Sequence, residues 1–74
     1  MRLSVIYADK TIVVDGAGCK DPDLVKGDDN HRSIQWDDET GMGVIEVAVG
    51  EPLRFTDRRI IQPFLNRFEA LNAS

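Results

Sequence analysis

Residues Ser33–Val49 (SIQWDDETGMGVIEVAV) constrain the fold more than any other stretch, because apolar and polar side chains alternate on both sides of a short acidic segment that ends in glycine. A strand has a side-chain period of two, so Ile34 and Trp36 project to one face and Ser33 and Gln35 to the other. Asp37, Asp38, Glu39, Thr40 and Gly41 then make a polar turn closed by a residue that tolerates positive φ. Beyond it Ile45, Val47 and Val49 share one face and Val44, Glu46 and Ala48 the other, in a run rich in β-branched residues. The pattern predicts a β-hairpin with Ile34, Trp36, Ile45, Val47 and Val49 toward the core. Trp36 is the only tryptophan, and a buried indole removes roughly 150–250 Å² from water.

The chain opens with the same alternation. Leu3, Val5 and Tyr7 fall on one face and Arg2, Ser4 and Ile6 on the other. Ala8-Asp9-Lys10 is a turn, and Thr11–Asp15 is a second β-branched run ended by Gly16 and Gly18. In that hairpin Ile6 and Val13 share the second face, which is therefore partly apolar and either covered or a contact surface. From Gly16 to Arg32 the composition shifts to Gly, Asp, Pro, Lys and Asn. Leu24 and Val25 are its only sizeable apolar residues, which predicts one long loop with Gly18–Asn30 as the most mobile internal segment.

After Val49, Gly50 and Pro52 mark a turn, and Leu53-Arg54-Phe55 adds a short edge segment. Thr56 or Asp57 is the expected N-cap of a final helix. Ile60, Ile61, Phe64, Leu65, Phe68 and Leu71 recur at three- and four-residue intervals, the stripe of an amphipathic helix. Pro63 lacks the N–H a helix interior needs, so the regular helix is expected to begin near Ile61 with proline in its first turn. Phe64, Leu65, Phe68 and Leu71 would face inward.

These elements predict one domain over residues 1–74 of the α+β class, an antiparallel β-meander of about four strands backed by one C-terminal helix. At 74 residues a single core is only just sufficient. Residues 1–51 carry eleven acids and five bases, and 52–74 two acids and four bases, so the formal charge of −4 divides into −6 and +2. An acidic body lacks the concentrated basic face that direct nucleic-acid binding needs. No run approaches the ~20 apolar residues of a membrane span, and Asp9 and Lys10 interrupt the apolar start too early for a signal-peptide core. One cysteine, Cys19, suits a reducing cytoplasm.

The familiar chemical constellations do not assemble. Asp21, Asp23, Asp28, Asp29, His31, Asp37, Asp38 and Glu39 make an acidic belt, but Asp21–Gly27 departs from a calcium loop at its fifth and sixth positions, and one His with one Cys gives no zinc spacing. No Ser or Thr sits in a nucleophile elbow, and nothing apolar flanks Asp28/Asp29 or Asp37/Asp38 to raise a carboxyl pKa. Gly16-Ala17-Gly18 follows a strand but is followed by neither a helix nor the Lys-Ser/Thr of a phosphate loop. Arg54, Arg58, Arg59 and Arg67 read as a solvated face. The sequence therefore predicts no enzyme, no cofactor and no metal.

Met1-Arg2-Leu3 opening an alternating strand, a charged turn, Val13-Val14-Asp15-Gly16, then Ile34-Gln35-Trp36, an acidic loop, a glycine and Ile45-Glu46 together resemble small proteins of tailed bacteriophages and prophages that have no established activity. Their genes often lie near tail-fibre or tail-assembly genes. The resemblance covers roughly the first two-thirds of the chain, and neither the Cys19–Asn30 loop nor the arginine-bearing helix takes part in it. It implies a phage or prophage origin and the cytoplasm of a bacterial host. The expected role is a non-enzymatic interaction or assembly-accessory protein with a protein partner, a second copy in a weak symmetric dimer among the candidates. Ile6, Val13, Val44, Arg58 and Arg59 are the candidate partner surface. The alternative is an acidic regulator that occupies a basic nucleic-acid-binding surface through the belt of aspartates between residues 21 and 39.

Overall fold

The structure, a computed structural model, describes residues 1–73. It contains six strands, β1 (Arg2–Ile6), β2 (Thr11–Val14), β3 (Ala17–Lys20), β4 (His31–Asp37), β5 (Met42–Val47) and β6 (Leu53–Phe55), then a 3₁₀ turn at Arg58–Ile60 and helix α1 (Gln62–Ala73). The strands form one antiparallel sheet in the order β3-β2-β1-β4-β5-β6. The α+β class and the C-terminal helix agree with the sequence; the strand count is six, not about four. Nor is the sheet a simple meander. After β3 the chain returns to pair β4 with β1, so two three-stranded units meet at a central β1–β4 ladder.

The extra strand comes from Gly16–Arg32, expected as one loop. Asp15 (φ 50°) and Gly16 (φ 86°) form a two-residue turn in which both residues are left-handed, the geometry whose twist matches a hairpin, and Val14 and Ala17 close it. The rest of the stretch is pinned at two points. The backbone N–H of Asp21 donates to the Lys10 carbonyl at 2.8 Å, and Leu24 is buried in the main core. The other expected anchor, Val25, is 77% exposed.

Leu3, Val5, Tyr7, Leu24, Ile34, Trp36 and Ile61 make the core, with Met1, Val14, Ile45, Phe55, Phe64 and Leu65 packed on it. Trp36 is 5% exposed while Gln35 is exposed, so the predicted strand phase is right. Four inward assignments need correction. Val49, 79% exposed, lies beyond the end of β5; Val47, Phe68 and Leu71 are half-buried and outside the central cluster. Ser33 does lie on the wet face, in register with Ile6 and Glu46, but is buried there.

The C-terminal segment starts as its residues dictate. The Asp57 carboxylate accepts the Arg59 N–H at 3.0 Å and caps the 3₁₀ turn. Ile61, fully buried, plugs the core at the junction, and Pro63 falls in the first turn of α1, where its missing N–H is no loss. The helix lies nearest β2 and β3. It leaves Leu53, on the far edge strand, half exposed.

Candidate functional site

Cross-strand pairs divide the sheet into two faces. On the core face, Leu3, Val14, Trp36, Gly43 and Phe55 lie in one row, and Val5, Ile12, Cys19, Ile34, Ile45 and Leu53 in the next. On the opposite face the described residues pack no helix; Lys26 of the loop reaches its lower edge beside Ile6, where Ser33 is only 8% exposed, and the molecule measures only 19 Å along its shortest axis, as one sheet and one helix require.

That open face is ordered in rows. The central row crosses all six strands as Gly18, Val13, Ser4, Gln35, Val44 and Arg54. Below it run Lys20, Thr11, Ile6, Ser33 and Glu46, and above it Arg2, Asp37 and Met42. The Ser4 hydroxyl donates to Gln35 Oε1 at 2.6 Å across the β1–β4 ladder, and Arg2 Nε meets Asp37 Oδ2 at 3.4 Å. Ile6, Val13 and Val44 are half-buried and Met42 is exposed. The polar centre is thus paired internally, and apolar carbon flanks it on both sides. Shallow grooves cross the face, one between Arg2, Gln35, Asp37, Thr40 and Met42, the other between Ile6, Lys26, Arg32 and Glu46.

Three of the five candidate surface residues, Ile6, Val13 and Val44, are therefore brought together. Arg58 and Arg59 are not: they lie on the 3₁₀ turn in the helical layer, against carboxylates of their own chain. Arg58 Nε reaches Asp38 Oδ1 at 3.2 Å, and its Nη1 donates to Gln62 Oε1. Asp38 also accepts the Trp36 indole N–H at 2.6 Å; chiefly that bond, with Arg58, holds its carboxyl below the ordinary range. Arg59 is paired with Asp57 at 2.9 Å, which holds that carboxyl low as well.

The acidic belt is likewise dispersed. Asp21 is buried and takes Arg67 of α1 through both oxygens at 3.1 and 3.2 Å, with Asp23 N–H as a third donor, so its carboxyl is held low, first by the Arg67 hydrogen bonds. The Asp28 side chain accepts the Asn30 N–H at 2.8 Å, and that of Asp37 the Glu39 N–H at 2.8 Å. Among the described residues no three His, Cys, Asp or Glu side chains converge on a metal-sized site. Among the described residues no helix is long and apolar enough to cross a membrane.

The sequence had placed Arg2, Ser4, Gln35 and Glu46 on the second face, but Lys20 could be added only once β3 was known. The signal for it was the Asp15-Gly16 pair directly after the apolar run Thr11–Val14. No protein-family model, no curated protein and no solved structure matches the chain.

Proposed function

We propose that the chain is a small interaction module, of phage or prophage origin and working in the bacterial cytoplasm as a non-enzymatic assembly accessory, which binds a protein on the open face of its sheet. The observation that supports this is the half-buried apolar side chains Ile6, Val13 and Val44, in two adjacent rows of a sheet face that the chain's own helix does not cover. An antiparallel sheet tolerates one solvated face when polar side chains fill it, and the valines and isoleucine that flank the polar centre here favour a covering layer. The alternative, an acidic regulator, draws less support, because Asp21, Asp37, Asp38 and Asp57 are engaged by arginines of the same chain.

The test is a pair of baits in lysate from the infected or lysogenic host. Val44→Lys alters the open face, and Glu69→Lys alters an exposed position on α1. Partners retained by Glu69→Lys and lost by Val44→Lys would support the reading; partners retained equally by both would contradict it.

A further inference from the structure

The geometry points to a second copy of this chain as an occupant of the open face, in a two-fold dimer whose axis lies in the sheet plane, parallel to the strands, between β1 and β4. This rests on the open face being a docking surface and assigns its partner.

The central row and the Arg2–Asp37 pair of this face are self-complementary about that axis, with Ile6 over Ser33 and Met42 at the rim over the Asp15 turn. The rotation exchanges β1 with β4, β2 with β5 and β3 with β6 of the facing copy. In the central row Val13 then lies over Val44, Ser4 over Gln35, and Gly18, which presents no side chain, under Arg54. In the upper row Arg2 lies over Asp37, so each existing ion pair gains a mirror partner. In the lower row Thr11 lies over Glu46, and Lys20 stands one strand spacing, about 4.8 Å, further out. Stacked sheets rotate by about 30°, which displaces facing rows by roughly 5 Å at two strand spacings from the axis, within reach of a lysine side chain. An axis perpendicular to the strands would instead set Arg2 over Ile6 and Met42 over Glu46, burying charge against apolar carbon.

The fourteen positions of the three rows, at about 4.8 by 6.8 Å each, cover roughly 450 Å² per copy, so about 900 Å² in total. That is below the roughly 1,200 Å² of standard specific interfaces and implies a weak, transient dimer. The charge of −4 on each copy adds long-range repulsion, which moderate salt would screen.

The arrangement makes an unusual demand on Lys20 and Glu46, both exposed within the single chain. Lys20→Glu places two acidic groups at each of two symmetry-related contacts, and Glu46→Lys places two basic groups there. Each variant alone should therefore dimerise at least tenfold more weakly than the wild type, while an equimolar mixture should recover a heterodimer in which both contacts are of opposite charge. Sedimentation equilibrium from about 10 µM to 1 mM measures this, with far-ultraviolet circular dichroism confirming that each variant is folded. A wild-type monomer mass across that range would overturn the dimer, yet leave the bait result free to support a different protein on the same face. A wild-type dimer indifferent to both substitutions, or a mixture no tighter than its components, would overturn the proposed register.

Discussion

At the residue scale, one position shows how tightly the core face is filled. Gly43 is opposite both Trp36 and Phe55 in the ladders, and a Cβ there would enter the Phe55 ring, which stacks on Trp36 with centroids 5.5 Å apart and planes at 18°. The glycine is kept for space rather than for an unusual φ. Gly43→Ala is expected to cost about 1–3 kcal/mol by overpacking, with near-ultraviolet circular dichroism of Trp36 altered before stability is lost. Trp36→Ala removes both the stack and the Asp38 hydrogen bond. Its expected cost is about 3–5 kcal/mol, a large share of the roughly 4–11 kcal/mol available to a chain this short; urea denaturation checks both. Neither the role of Gly43 nor the stack was legible in the sequence, because the β5–β6 register that sets Phe55 against Gly43 depends on the turn through Gly50 (φ 99°) and on Asn30, whose side-chain amide both donates to and accepts from the Val49 backbone at 2.9 Å.

At the scale of elements, periodicity revealed what repeats, and contacts between distant segments remained hidden. The period of two placed Leu3, Val5, Ile34 and Trp36 inward, and Pro63 located the start of α1, because these are properties of neighbouring residues. The pairing of Asp21 with Arg67 across 46 positions has no local signature. It joins the end of β3 to α1, and it turns what the composition showed as loop and solvated arginine into a clamp. Asp21→Asn is expected to destabilise by about 1–2 kcal/mol, an ion-pair contribution discounted because Arg67 is partly exposed. Hydrogen exchange should then divide the segment expected to be uniformly mobile: amides of the exposed residues 25–29 exchanging fast, those of Asp21 and Leu24, which donate to Lys10 and Asp21 carbonyls, markedly slower. Equal rates across 18–30 would contradict the clamp.

For the whole molecule, the carboxylates of Asp21, Asp38 and Asp57 are held below their ordinary range when folded, by bonds chiefly to Arg67, to the Trp36 indole N–H and to Arg59 respectively. A folded pKa below the unfolded value adds stability that is complete above the unfolded pKa of about 4 and disappears as pH falls through the lower folded value. The urea midpoint should therefore be nearly level from pH 7 to 5 and fall below about pH 4, less steeply in Asp21→Asn than in the wild type. The helix and 3₁₀ turn pack on one side of the sheet, which leaves the opposite face as the proposed site of association in place of the arginines of the 3₁₀ turn. Methyl-resolved NMR over a concentration series tests this most directly. Concentration-dependent shifts centred on Ile6, Val13 and Val44, with Ile61, Leu65 and Leu71 unmoved, are the predicted result; shifts centred on Ile60, Leu65 or Leu71 instead would contradict it.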